Sequence, residues 1–336
     1  MMAGYGKWIV PLIILILLLL LPRGTYEAVM KTQEITDHVG RTVSVPSRIN
    51  KVYGTTQEAS FLIYAIEPQA IIGWNRGLSP DLEFFIQDQY HHLPTIGTWN
   101  EEYETAQIST IKEIQPDLVI HLAPADLPNM LLVEEIQTEL EIPTILIDSS
   151  LLSLPAALRL VGNLLDKEIR GNTLAVYAEN TLQRIETLGK NLRAVEKASV
   201  YVVSETDTDY LEELLAYAGI MELPKLDTPQ NPDFMLVMPH TITDPYRKIT
   251  HDPQLAHIGA IADQRVYEIP TLPLNWLGPN SLCRLLGVEW LISIAYPAYY
   301  SVDFAEIFVE FMDVFYEKNV SPEMLHWIFE RSGTFY

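Results

Sequence analysis

The sequence carries several residues suited to holding a ligand and few arranged to break a bond. Arg76 follows the apolar stretch AIIGWN at residues 70–75. A guanidinium keeps its charge at any working pH and presents a planar fork of donors that matches a carboxylate, phosphate or oxyanion. In a chain of net charge −22, an arginine at the end of an apolar run is a candidate anion hook. The plainer reading is a surface pair with Asp81 or Glu83, worth little. Trp74, Trp99 and Trp276 offer large flat faces on which a conjugated ligand can stack, against the ordinary use of tryptophan in packing. Trp276 is the strongest of the three, because Pro273 and Gly278 flank it in a stretch too broken for strand or helix. His240 follows FMLVMP, where an imidazole can serve as metal ligand or donor. His121 lies inside DLVIHL and reads as a satisfied core histidine. His91 with His92, and His251 with His257, read as surface pairs without the spacing of a metal clamp.

Catalytic signatures are missing. The sequence has no G-x-G-x-x-G, no phosphate loop ending in Gly-Lys-Ser/Thr, no G-x-S-x-G and no H-E-x-x-H. Cys283 stands among Leu282, Leu285 and Leu286 in an expected amphipathic helix, as a packed thiol would. As the only cysteine it excludes an internal disulfide and a cysteine-based metal cluster. The acidic pairs Asp207 with Asp209 and Glu101 with Glu102 read as solvated faces. The expectation is a binding protein, not an enzyme.

Composition agrees. The chain has 336 residues, room for two domains. With 48% hydrophobic and 20% charged residues it has the material for a core. Its 44 acidic against 22 basic side chains leave no basic surface for phosphate backbones, so no nucleic-acid partner is expected. Lys7 precedes WIVPLIILILLLLL at residues 8–21, followed by Pro22 and Arg23. About 14 apolar residues are short for the roughly 20 that span a bilayer. Residues 1–30 are therefore expected to be a signal peptide or an N-terminal membrane anchor, placing the rest on the periplasmic or extracellular face of the cytoplasmic membrane. No cysteine stands directly after the run, so a lipid-modified cysteine is excluded.

The elements that must position the candidate residues are alternating strands and helices. KVYG at 51–54, AIIGW at 70–74, DLVIHL at 117–122 and TILID at 144–148 are short β-branched runs, each followed by turn chemistry and a helix-length segment. A second set comprises ASVYVVS at 198–204, DFMLVMP at 233–239 and RVYEIP at 265–270. Such alternation implies mostly parallel sheets with helices on both faces. Residues 37–46 (DHVGRTVSVP) read as a hairpin arm turning at Gly40. Between the two sets, residues 168–195 contain no proline and place Leu174, Ala178, Leu182, Ile185, Leu188, Leu192 and Val195 on one helical face. The expected division is an N-terminal α/β lobe at 31–167, a linker helix at 168–195 and a C-terminal α/β lobe at 196–336. Gly171 and Gly189 are expected to weaken the linker's ends. Residues 301–336 read as two more helices, the second capped by Ser321 with Pro322 and Glu323 in its first turn.

In open parallel sheets ligands bind beyond the carboxyl ends of the strands. That rule selects Thr55 and Thr56, then Trp74, Asn75 and Arg76, then Trp99 and Asn100, with Ala123 and Pro124, in the first lobe. In the second it selects Ser204 and Glu205, His240, and Asn275 with Trp276.

The order DHVGRTVSVPSRINKVYG, IEPQAIIGWN, LPTIGTW, ISTIKEIQPDLVI, then HDPQLAHIGAIADQRVYEIPTLPLNW followed by GPNSLCRLLGVEWLISIAYP, resembles the periplasmic iron–siderophore/cobalamin type of ABC-transporter substrate-binding proteins. The resemblance runs over most of the chain and consists of many weak motifs in the right order. It implies a fold like that of the class III periplasmic binding proteins: two Rossmann-like three-layer lobes joined by one long α-helix. It further implies an ABC-transporter permease as partner and no built-in cofactor. The implied ligand is an iron chelate (siderophore or heme) or cobalamin, captured between the lobes. A molybdate or tungstate binder, using Arg76, loop N–H groups and threonine hydroxyls, is the runner-up, and a membrane-tethered ligand-sensing module without transport is a third reading. Related binders of bare zinc or manganese use several His and carboxylate ligands, a set this sequence does not assemble. Relatives often dock on the permease through one glutamate per lobe; Ser109 and Lys225 stand at those positions, with Glu104, Glu113 or Glu222 as substitutes. The second lobe is also shorter between residues 219 and 232 than in relatives.

Overall fold

The computed structural model describes residues 31–100, 104–192, 197–205, 208–224, 231–240 and 243–332. A hairpin of β1 (Thr32–Thr36) and β2 (Thr42–Pro46) leads the described chain. Val43 and Val45 are buried and alternate with exposed Thr42 and Ser44, the period-2 pattern of a strand lying on a core. Gly40 sits in the turn at φ 79°, a conformation that suits glycine. Arg41 pairs with Asp37 and donates to Thr144 O at 2.6 Å, which hooks the hairpin onto the first sheet.

That sheet is parallel, with β3 (Val52–Gly54), β4 (Leu118–Ala123) and β5 (Thr144–Asp148) in sequential order. The 70–74 run, expected as a strand, contributes only isolated bridges, Val52 with Ile71 and Trp74 with Thr95. The chain there leaves a 3-10 turn at Pro68–Ala70, too late to register more than one residue against β3. The second sheet is also parallel, in the order β7 (Met221–Glu222), β6 (Ser199–Val203), β8 (Phe234–Val237), β9 (Val266–Glu268). β7 has two exposed residues and no hydrophobic pattern to announce it.

Between the sheets runs the helix Glu168–Leu192. At 1.5 Å per residue its 25 residues make a rod of roughly 37 Å. Residues 193–196 lie outside the described residues. Leu174, Ala178, Ile185 and Leu192 are buried as the spacing requires, and Leu182 and Leu188 pack from the edge of that face. Gly171 does the opposite of weakening this helix. A Cβ built on Gly171 would meet Leu158 O at 2.7 Å and Gly162 Cα at 2.8 Å, so the linker and the helix Leu154–Leu164 touch backbone to backbone.

The C-terminal helices close the structure. Phe304–Tyr316 lays Phe311 and Phe315 against Tyr177 of the linker, and Tyr316 against Phe61 and Tyr64 of the first lobe's helix Gln57–Ile66. Pro322–Phe329 begins at Ser321, whose hydroxyl accepts from Met324 N as expected. Helix Arg284–Ala295 is buried on nearly every side instead of amphipathic, because it runs between linker and tail. Its Glu289 takes a two-point ion pair from Arg184 of the linker. The result is one contiguous core through both lobes and the linker.

Gly171→Ala is expected to destabilise the protein by about 1–3 kcal/mol through overpacking, although alanine favours helix by about 1 kcal/mol. Gly189→Ala, whose Cβ would find no atom nearer than 3.9 Å, should show only the propensity gain. Denaturant midpoints of the two variants check the pair, and a stabilised Gly171→Ala would contradict the contact.

Candidate functional site

The cavity that both lobes line at the carboxyl ends of their strands has a volume of about 510 Å³. Pro124 follows β4 and Ser149 with Ser150 follow β5; opposite them stand Asp209, Tyr210 and Glu213 after β6, with Asn280 and Arg284. This is where open parallel sheets place ligands, and the size suits a ligand of drug-like bulk. A larger groove of about 1030 Å³ lies along the linker, lined by Leu152, Pro155, Leu182, Ile185 and Tyr217. It reaches Lys197 and Gly219, at the amino ends of the second sheet's strands, and so lies at the wrong end of the sheet for a strand-end site.

Arg284 organises the cavity wall. It is 5% exposed, donates through Nη1 to Ser149 O at 3.1 Å, and pairs through Nη2 with Glu213. Its buried Nε–H has no acceptor among the described residues. Glu213 also accepts from Leu151 N at 3.2 Å. Two residues of the second lobe therefore hold the loop after β5 of the first, at the rim of the cavity. Behind Ser150, the Asp148 carboxyl is pulled in two directions. Burial alone would raise its pKa, but hydrogen bonds from Ser153 and Ser150 hold it below the usual carboxylate range, so it stays ionised at neutral pH.

Of the strand-end residues selected from sequence, Pro124 lines this cavity and the others stand elsewhere. Thr55, Thr56 and Asn75 are buried in a closed network inside the first lobe. Thr55 Oγ1 lies 2.7 Å from His121 Nδ1, and His121 Nε2 lies 3.1 Å from Asn129 Oδ1. Since Asn129 Oδ1 is an acceptor, His121 carries its proton on Nε2 and accepts the Thr55 hydroxyl on Nδ1. Thr56 caps the helix Gln57–Ile66 by accepting from Ala59 N. Asn75 donates to Gly54 O and Gly97 O and accepts from Ser60. These groups fasten the strand-end loops of the first lobe to one another.

The tryptophans are corrected by packing. Trp276 is fully buried, stacked on Phe308 with centroids 5.5 Å apart and edge-on to Trp290 and Phe329, with its Nε1–H given to Leu272 O. Trp74 packs on Phe61 and Tyr64 and donates to Tyr90 O. Neither ring has a face left for stacking. Trp99 is buried against Tyr53 and Ile72 and borders a separate acidic hollow with Glu104, Glu134 and Glu139. Arg76 is exposed and makes no ion pair with Asp81, Glu83 or another described carboxylate. Its charge is felt by half-buried Glu58, whose pKa burial raises and Arg76 pulls back. Asn100 and Ser204 are half-buried, Glu205 and His240 exposed. His240 Nδ1 accepts from Thr243 N at 3.2 Å, a local turn. Asn275 Oδ1 accepts from Leu277 N and shapes the loop before Arg284. His91 is half-buried, its Nε2 3.0 Å from both Glu83 O and Ile86 O, so it is no surface partner for His92. Cys283 is buried and its thiol is pushed up to about 12 by burial. Among the described residues no group of three His, Cys, Asp or Glu side chains is placed to hold a metal ion.

Sequence reasoning did not pick out Tyr210, Glu213 and Arg284. One signal existed: Arg284 is the sole basic residue in a helix otherwise as apolar as RLLGVEWLISIA, and a charge in such a helix needs a partner.

Burial lowers the pKa of His121 below its ordinary value. The unfolded chain then takes up a proton near pH 6.5 that the folded chain refuses, so stability is present above that pH and lost as pH falls. The slope should approach about 1.4 kcal/mol per pH unit below roughly pH 6.5. Urea denaturation at successive pH values checks it against His121→Gln, which should lose less on acidification; equal losses would remove the assignment.

No family model matches the sequence, and no curated protein does. Solved structures do. An ABC transporter solute-binding protein from Sulfurospirillum deleyianum superposes with a TM-score of 0.78 at 24% identity, over 88% of this chain and 99% of that one. The molybdate periplasmic binding protein of Haemophilus influenzae, bound to molybdate, gives 0.65 at 18% identity over 86% of this chain and 99% of that one. Staphylococcus aureus IsdE complexed with heme, 17% identical, gives 0.52 over 73% of this chain and 98% of that one. Two parallel sheets joined by one long helix, with a cavity between their strand ends, are thus the fold of the solute-binding proteins of ABC transporters.

Proposed function

We propose that this chain is the extracytoplasmic solute-binding component of an ABC importer, taking up an iron chelate or cobalamin between its lobes. The observation that carries the reading is the cavity of about 510 Å³ walled by strand-end residues of both lobes. A bulky chelate fills such a space and touches both walls. A tetrahedral oxyanion is several times smaller, and the groups expected to hold it are committed elsewhere: Thr55 to His121, Thr56 to its helix cap. Arg76 stands exposed, away from the cavity's lining residues. That lowers the molybdate reading, although a structural neighbour carries that ion.

Delivery to a permease needs a docking surface. Ser109 is exposed on the helix Ile108–Ile114, and Glu104, Glu113 and Glu222 are exposed carboxylates that suit a basic partner. Lys225 lies outside the described residues, as do residues 226–230 of the shortened segment between 219 and 232. The apolar run of residues 8–21 also lies outside them; among the described residues no helix is long and apolar enough to cross a membrane. We place the protein on the outer face of the cytoplasmic membrane on the strength of that run. With no permease the same lobes would serve as a tethered sensor.

Calorimetric titration of the full-length chain in mild detergent against ferric siderophores, hemin, cobalamin, molybdate and tungstate tests the reading. One bulky chelate should bind saturably at micromolar or tighter affinity, and Tyr210→Ala should weaken it by about tenfold or more, as for a buried aromatic contact. Binding of oxyanions alone, or of none of the panel, would overturn it.

A further inference from the structure

Beside the cleft, one ion pair of the second lobe gives each of its charges a main-chain partner in the first. Arg284 donates through Nη1 to Ser149 O, Leu151 N donates to Glu213, and Arg284 and Glu213 pair with each other. Arg284 opens the helix Arg284–Ala295 and Glu213 lies in the helix Glu212–Ala218, so both charges move with the second lobe. Ser149 and Leu151 stand directly after β5 and move with the first. Hydrogen bonds with an ionised partner are roughly twice as strong as neutral ones. Parting the lobes here breaks those two bonds and leaves the ion pair whole. No buried charge is orphaned, which is the step that makes breaking buried pairs costly. The released carbonyl and N–H can be taken up by water as the gap widens.

The position suits a latch as well as the chemistry does. Ala216, on the same helix as Glu213, lines both the cavity and the groove along the linker, so the pair stands between the linker and the cleft. A small separation there is magnified toward the mouth. On the linker itself, Tyr177 meets Phe311 and Phe315 through ring contacts, and apolar packing is non-directional enough to absorb a small rotation. We infer that Arg284 and Glu213 form a latch that holds the two lobes at one spacing, and that releasing its bonds to Ser149 and Leu151 lets the lobes part about the linker. The latch is built from the chain's own groups and does not depend on which solute the cleft takes.

The test measures the spacing on the full-length chain by double electron–electron resonance between spin labels at Leu127→Cys in the first lobe and Lys248→Cys in the second. Both positions are exposed, and Cys283 is buried and takes no label. Arg284→Met combined with Glu213→Leu removes both cross-lobe bonds without orphaning a charge, a kind of replacement that is often neutral for stability. The distance, narrowly distributed in the unmodified chain, should lengthen in this variant by more than about 2 Å, the scale of a domain rearrangement. Leu151→Pro approaches from the other lobe, deleting the N–H given to Glu213 while the ion pair stays. Leu151 is the first residue of a 3-10 turn, and Ser150 before it, at φ −57° and ψ 145°, already has the backbone that a following proline favours. Leu151→Ala trims the same buried side chain but keeps the N–H. Leu151→Pro should lengthen the distance and Leu151→Ala should leave it. An unchanged distance in the paired variant overturns the latch, as does equal lengthening in the two Leu151 variants. If a thermal melt shows the paired variant unfolded, the Leu151 comparison decides alone.

Discussion

The contact between Gly162 and Gly171 fixes where everything else can go. With no side chain on either residue, the helix Leu154–Leu164 and the linker approach until backbone meets backbone, so the linker is part of the first lobe's packing and not a tether beside it. Once seated, it presents Tyr177 to Phe311 and Phe315 and Arg184 to Glu289, and these bring the tail helix and the helix Arg284–Ala295 onto the same surface. The tail helix then reaches back to Phe61 and Tyr64 of the first lobe. Opening the lobes widely would strip apolar area from this continuous core at roughly 25 cal/mol per Å². The cleft walls are therefore largely preformed, which reduces the ordering cost that binding must overcome.

A preformed site separates polar groups that are already satisfied from those that can still act. The Thr55, His121 and Asn129 chain has its bonds complete inside the lobe, and a ligand could use it only by breaking one of them. Removing a partner from a buried polar group costs about 1–3 kcal/mol, more than a new neutral hydrogen bond usually returns. Arg284 is different: its two terminal nitrogens hold Ser149 O and Glu213, and its buried Nε–H has no acceptor among the described residues.

The fold was legible in the sequence wherever one element carried its own signal. TILID became β5 at residues 144–148 because four of its five residues are buried in mid-sheet and need no partner's help to look like a strand. The linker announced itself by spacing, and Ser321 by cap chemistry. Signals that depend on a neighbour were lost. Residues 70–74 look like a strand but have only single bridges to pair with, while β7 pairs well and looks like nothing. The site suffered most for the same reason. Trp276 in a broken, proline-flanked loop has the local appearance of a ligand platform, and only the arrival of Phe308 and Phe329 from the tail shows its faces to be covered. Arg284 has the local appearance of a helix residue, and only Ser149, far along the chain, makes it part of a cleft.

The charged pair that lines the cleft also sets the geometry of the lobes. Arg284 and Glu213 neutralise each other, and each also holds a backbone group of the loop after β5, Ser149 O and Leu151 N. Deleting Glu213 leaves the buried Arg284 charge without its partner, which costs about 3–5 kcal/mol in comparable pairs, and releases the loop as well. A loss of binding in such a variant would not distinguish a missing ligand contact from a displaced lobe. Glu212 lines the same cavity beside this pair, so its charge contributes to the potential inside the cleft with the staple left intact. The staple thus ties the wall after β5 of the first lobe to the wall after β6 of the second.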